Sequence, residues 1–216
     1  MLVHFLFSHL LASLFLQAPP DSVLRWSFDS EEVGRVPVRW ETRGAAGGQP
    51  VYQVKAEPDG NRYLAARSRA TDVQLGVELS ARPQDLQVLS WRWRIWELPR
   101  GADERNLKTL DSAASVYAVF GSSIFPRILK YVWSTSVPAG RSLKHPSSGR
   151  MVIIVVNSGP SPLGEWVHVS RNLLEDYKAA FGSEPGKLIA LGVKTDSDST
   201  RTSAQADYDD IQLARR

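Results

Sequence analysis

At 216 residues, 43% hydrophobic and 23% charged, the chain can bury one substantial core and is not composed like a disordered or fibrous protein. Its formal charge of +3 rests on scattered Lys and Arg, which argues against a nucleic-acid-binding surface. The absence of Cys removes disulfides, thiolate metal ligands and a cysteine nucleophile together.

Met1 to Ala18 carries no Lys, Arg, Asp or Glu, and the Leu- and Phe-rich run from Leu2 to Leu16 ends at Pro19-Pro20-Asp21. This predicts a signal peptide over 1–18, a single β-sandwich domain over 19–216 and a periplasmic or secreted protein. The leader's n-region has no Lys or Arg, only the terminal amine and His4, and Leu16-Gln17-Ala18 is a poor cleavage site. An uncleaved anchor, the one route by which this chain would meet a membrane, is the competing reading, although the run is short for a bilayer span. A misassigned start codon or a buried N-terminal segment is the third.

Val23 to Asp29 alternates and reads as the first strand. Gly34 and Pro37 punctuate the path to Trp40, and Gly44 to Pro50 reads as a loop. Val51 to Ala56 and Arg62 to Arg67 flank Pro58-Asp59-Gly60-Asn61, a strand–turn–strand pattern. Val73 to Leu79 alternates again, and Pro83 breaks the chain before Leu86. Leu89 to Trp96 then alternates strictly. Leu89, Trp91, Trp93 and Ile95 share a dry face; Ser90, Arg92, Arg94 and Trp96 share a polar, aromatic one. Trp91 and Trp93 are expected in the core.

Arg100 to Leu110 reads as an exposed loop, Ser112 to Phe120 and Ile128 to Trp133 as strands, and Val137 to Ser148 as a loop. Met151 to Val156 is a continuous aliphatic run, expected to be a strand buried on both faces. After the turn region Asn157 to Gly164 come a strand over Glu165 to Ser170 and a helix over Asn172 to Phe181. Leu173, Leu174, Tyr177 and Phe181 lie on one helical face, and Gly182 stops it. Leu188 to Val193 and Ala206 to Leu213 are the last strands, with the polar loop Thr195 to Thr200 between them. About eleven short strands and one short helix predict an all-β fold, a two-sheet antiparallel jelly-roll-type sandwich. Its first and last strands would lie side by side, placing Trp26 near Tyr208.

Of four His, His4 and His9 lie in the leader, so His145 and His168 are too few for a His-rich zinc site. No phosphate-binding Gly loop, dinucleotide turn or nucleophile elbow occurs. The candidate ligand-binding residues are Arg92, Arg94 and Trp96 on the polar strand face, Tyr208 and Asp210 on the last strand, and Lys108 and Asp111 leading into a neighbouring strand. An aromatic plane beside hydrogen-bonding cations suits a sugar ring and its charged or hydroxyl groups. The bland alternative is a solvated sheet face whose arginines pack and pair locally. Asp196 and Asp198 alternate with hydroxyl side chains and form a weak calcium candidate, lacking the Gly and distal Glu of a helix–loop–helix site. Apart from that calcium, no cofactor is expected.

Several motifs occur in a characteristic order. They are Leu89 to Trp96, Lys108/Asp111 before Ser115 to Phe120, Tyr131-Val132-Trp133, Ser158-Gly159, Gly164-Glu165-Trp166, Arg171-Asn172-Leu173 to Asp176-Tyr177, Phe181-Gly182, Thr195 to Asp198 and Tyr208 to Ile211. In this the chain resembles a bacterial family known as domain of unknown function 3047, over roughly Trp26 to Leu213. The resemblance implies an exported protein with no established activity and a jelly roll like those of carbohydrate-binding modules. It also implies a departure: a second Asp and an Arg often stand in the family where this chain has Ser112 and Ser115.

The sequence therefore predicts a non-catalytic binding module for a glycan or another polyhydroxylated or anionic ligand, on the face of Arg94, Trp96 and Tyr208. The first alternative is a jelly-roll polysaccharide lyase or hydrolase, with Arg94 neutralising a substrate carboxylate, Tyr208 as acid or base and Asp210 tuning it. The second is a structural cell-envelope protein whose polar face is internal scaffolding.

Overall fold

The computed structural model describes residues 23–45 and 50–215. The expected leader, 1–18, lies outside the described residues. In chain order the strands are β1 (Leu24–Trp26), β2 (Glu41–Ala45), β3 (Tyr52–Ala56), β4 (Arg62–Arg69), β5 (Asp72–Ala81), β6 (Val88–Glu97), β7 (Ala114–Phe120), β8 (Arg127–Ser134), β9 (Ser142–His145), β10 (Ser148–Ser158), β11 (Val167–Asn172), β12 (Leu188–Lys194) and β13 (Ser203–Ala214). Among the described residues, one helix, α1 (Leu173–Phe181), follows β11 directly, and a single 3-10 turn spans Leu107–Thr109.

Two sheets face each other. One has the order β11-β6-β13-β4-β3, with β1 also paired to β13; the other has the order β2-β5-β12-β7-β8-β10-β9. The architecture is the expected two-layer all-β sandwich. It departs from a purely antiparallel design at one place, since β10 runs parallel to β8. The first and last strands do pair, with Trp26 opposite Ile211. β4 and β1 share one edge of β13: β4 holds Ser203 to Tyr208, and β1 holds Ile211 to Leu213.

β2 and β9 were not expected as strands. Both lie at the ends of their sheet. An edge strand is held by backbone pairing on one side and buries little, so its side chains need not alternate. The aliphatic run within β10 is buried on both faces as expected: Val152 and Ile154 join the main core, while Met151, Ile153 and Val155 pack on the far side.

The dry face of β6 is the centre of the core. Leu89, Trp91, Trp93 and Ile95 are fully buried. The ring of Trp91 meets that of Trp93 edge-on at 5.2 Å and that of Tyr131 at 5.4 Å; Trp93 and Trp133 lie 6.0 Å apart. Buried aromatic rings of this kind make large apolar contributions to a core. Asn172 caps α1 by accepting from the Leu174 and Glu175 N–H groups. Gly182 ends the helix in the left-handed region at φ 65°.

Candidate functional site

The outer face of the six-stranded sheet carries a charged cluster roofed by aromatic rings. Strand alternation turns Arg92 and Arg94 away from the core, and β13 supplies their acids. Asp207 stands opposite Arg94, and Asp209 opposite Arg92. Arg94 Nε and Nη2 reach Asp207 Oδ2 at 3.0 and 2.9 Å, and Arg94 Nη1 donates to Glu57 at 2.7 Å. Asp207 is fully buried, and its other oxygen pairs with Arg67 at 3.1 Å. Ala65 lies opposite Asp207 on β4, so no side chain there crowds the carboxylate.

Tyr63, Trp96 and Trp166 surround the Arg94 guanidinium, with ring centroids at 5.0, 4.9 and 4.3 Å from its carbon. Trp96 is the extra residue of a bulge, because Ile95 pairs with Ala206 and Glu97 with Gln205. Its indole N–H donates to Asp207 at 2.6 Å, and the residue remains 45% exposed. Gly164, at φ +75°, lies under that ring; a Cβ there would come within 3.1 Å of Trp96 Cζ3. Trp166 meets Tyr63 edge-on at 5.8 Å, and its buried indole N–H has no acceptor. Tyr63 and Trp166 are half-buried.

Arg92 extends the cluster. It donates to Asp209 at 2.6 Å and to Asn61 at 2.9 Å. Its Nε lies 3.0 Å from Asp210 Oδ2, outside the direction of a hydrogen bond. Asp210 also binds Arg25 at 2.6 Å. Burial pushes the Asp209 carboxyl up to about 6, against the pull of the Asn61 amide and the Arg92 guanidinium.

The predicted site residues divide. Arg92, Arg94, Trp96 and Asp210 share this face. Tyr208 does not: it sits on the dry side of β13, fully buried in the main core. Its hydroxyl donates to the Lys194 carbonyl at 2.8 Å, accepts from the Ser115 N–H at 3.2 Å and meets Thr195 Oγ1 at 2.8 Å. Burial holds it well above the usual phenol range. The reason for the correction is a bulge. Asp210 is left-handed at φ 48°, and the register with β6 shifts between Asp209 and Gln212. Counting inward from Ile211 and Leu213 therefore places Asp210 correctly but gives Tyr208 the wrong side. The arrangement expected for a lyase, Arg94 with Tyr208, does not form.

Lys108 and Asp111 also part. Lys108 is exposed on the 3-10 turn, whereas Asp111 is buried and accepts from Ser199 N at 3.2 Å and from Thr200 N and Oγ1 at 2.7 and 2.6 Å. Asp111, Asp196 and Asp198 bring carboxylate oxygens within 4.8 Å of one another, so these three could hold a cation. Much of their capacity is already used. Asp196 accepts from Ser112 N at 3.0 Å and pairs with Lys194 at 2.8 Å. Burial works to raise Asp196, but Lys194 and Lys130 hold it below its ordinary value. On the face of the seven-stranded sheet turned away from the core, Ser115 Oγ is buried without a partner, and the buried Lys130 ammonium lies 5.6 Å from the Tyr117 ring centre.

Asp207, Glu57, Tyr63 and Trp166 were not anticipated as site residues. Asp207 and Asp209 alternate on β13 and would have signalled the arrangement had the parity of that strand been known. Tyr63 and Trp166 come from separate strands and loops, and nothing local marks them.

Among solved structures, the chain is similar to the K2 adhesin domain of Lys-gingipain, with a TM-score of 0.45 and 12% identity, over 90% of this chain and all of that one. It is also similar to the family 11 carbohydrate-binding module of a Clostridium thermocellum cellulosomal cellulase, with a TM-score of 0.45 and 8% identity over 91% and 96%. A third likeness is to the mannan-recognising module TmCBM27, at 0.41 and 15% over 90% and 99%. No curated protein matches the sequence. The model of the family described as protein of unknown function (DUF3047) matches residues 38–212.

Proposed function

The chain belongs to the DUF3047 family of unknown function, and we propose that it is an exported, non-catalytic binding protein that takes a glycan on the aromatic face of its six-stranded sheet. The observation that carries this reading is the platform of Tyr63, Trp96 and Trp166 around the paired Arg94. A sugar ring offers one flat C–H face and a rim of hydroxyls. An indole plane covers the first, and nearby carboxylates and N–H groups bond the second. Trp96 is held from below by Gly164 and at its N–H by Asp207, so little side-chain freedom is lost on binding.

Arg94 then serves the site by fixing the rings, because its donors are engaged by Asp207 and Glu57. This moves recognition from the arginines to the exposed aromatic surface. Affinity electrophoresis of the protein against a panel of neutral and acidic polysaccharides tests the reading, with Trp96→Ala as the control. At least one polysaccharide should retard the wild type and not the variant. A folded protein retarded by none of them, or a variant retarded as strongly as wild type, would refute it.

A further inference from the structure

One row along the same sheet face, the aromatic platform runs into an open cleft of ≈ 750 Å³. It is lined by Arg69, Arg100, Arg201, Glu97, Ser203 and Gln205, among others. The register explains the continuity. On β13, Asp207 faces Arg94, and two residues earlier Gln205 lies between Glu97 of β6 and Arg67 of β4; Ser203 then faces Arg69. The platform and the cleft are therefore neighbouring rows of one surface.

The charge in the cleft is unbalanced. Among the described residues that line it, Glu97 is the only acid, and Ser203 Oγ and Gln205 Nε2 donate to it. Arg69, Arg100 and Arg201 are all exposed, and among the described residues none has a side-chain hydrogen bond or ion pair. That contrasts with Arg94 one row away, which is paired with Asp207 and Glu57, and with Arg92 beyond it, which is paired with Asp209. Three free guanidiniums against one engaged carboxylate make a positive hollow within a protein whose whole formal charge is +3.

The cleft wall is also fixed in place. Ala70 and Arg201 are two of its lining residues and both are left-handed, at φ 48° and 54°. Non-glycine residues hold that conformation only where surrounding contacts impose it. Here Ala70 N donates to Thr202 O and to Ser197 Oγ, and Asp111 holds Thr200 beside Arg201. A guanidinium fork on a braced loop suits the paired oxygens of a carboxylate or sulfate.

We propose that the ligand of this face is an acidic glycan, whose ring rests on Trp96 and whose carboxylate or sulfate group enters the cleft of Arg69, Arg100 and Arg201. The inference rests on the glycan-binding reading and adds the charge of the ligand to it. The test is affinity electrophoresis of the full chain at low salt in gels holding dextran, dextran sulfate, polygalacturonate or methyl-esterified polygalacturonate, with polyphosphate as a soluble competitor. Wild type, Trp96→Ala and an Arg69→Gln/Arg100→Gln/Arg201→Gln variant are compared after their thermal midpoints have been matched. An acidic polymer should retard the wild type at least about tenfold more strongly than its neutral counterpart, and the Gln variant should lose that margin. Dextran sulfate separates a sulfate preference from the uronate preference reported by polygalacturonate. Retardation lost in Trp96→Ala but indifferent to charge and unchanged in the Gln variant would overturn the acidic-ligand inference and leave glycan binding standing. Displacement by polyphosphate as effective as by the acidic polysaccharide would overturn it as well, since charge alone would then suffice. A folded protein retarded by no polymer would overturn both readings.

Discussion

Arg94→Ala is the most exacting perturbation of the outer sheet face. The residue is 8% exposed, and its removal breaks two contacts to Asp207 and one to Glu57. Asp207 is left fully buried with the single cation Arg67 at 3.1 Å and the Trp96 N–H. Breaking a buried ion pair from one side costs about 3–5 kcal/mol, because the carboxylate that remains is only partly compensated in a poorly solvated place. The three ring faces around the guanidinium also lose their cation. For a domain of this size the cost corresponds to a fall in Tm of roughly 6–20 °C. Urea unfolding, followed by tryptophan fluorescence and far-ultraviolet circular dichroism, measures it directly. The pair Arg94→Ala/Asp207→Ala should cost less than the two single changes added together, since the double change leaves no stranded charge between them. An Arg94→Ala protein within about 1 kcal/mol of wild type, or strict additivity of the pair, would refute the claim that this network is desolvated and coupled.

Four further outcomes are expected. Tyr208→Phe should destabilise by about 1–3 kcal/mol, because Thr195 Oγ1, Ser115 N and Lys194 O lose a common partner, and should leave polysaccharide retardation unchanged; altered retardation at unchanged stability would count against its place in the core. Gly164→Val forces a side chain into Trp96 at a left-handed position, so retardation should weaken roughly tenfold while far-ultraviolet circular dichroism stays that of the wild type. Asp209 titrates at about 6 in the folded protein, above the unfolded value near 4. Its contribution to stability is then fully present below about pH 4 and lost as pH rises through about 6; Asp209→Asn should flatten that part of the stability–pH curve, and an unchanged slope would exclude Asp209 as its source. Asp111 and Asp196 already satisfy Ser199, Thr200, Ser112 and Lys194, so millimolar calcium should leave Tm unmoved in a thermal scan, and a calcium-dependent rise would reinstate a metal role for the cluster.

Much of this was legible in the chain because alternation is a local property. Leu89 to Trp96 announces one dry and one polar face, and the structure puts Trp91 and Trp93 in the core and Arg92 and Arg94 outside it. The continuous run within β10 carries the same kind of information, and so does the capped helix after β11. The edge strands β2 and β9 left little trace, since they bury little and are held by backbone pairing. The family resemblance read from the ordered motifs agrees with the match over residues 38–212.

The site was only half legible. Arg92, Arg94 and Trp96 could be named from one strand, but their partners could not. Asp207 and Tyr208 exchange sides because β13 bulges at Asp209–Asp210, and one extra residue reverses the parity of everything before it. Tyr63 and Trp166 approach Arg94 from different parts of the chain, so only the packing of β4, β6 and the loop before β11 assembles the platform. The same holds for Arg69, Arg100 and Arg201, which are unremarkable in sequence and become one positive cleft where three strand ends meet. The sequence by itself determined the layers and the core, because periodic burial is written residue by residue. Only the tertiary structure decided which charges are spent on one another and which remain free for a ligand, because that depends on strand register and on contacts between distant segments.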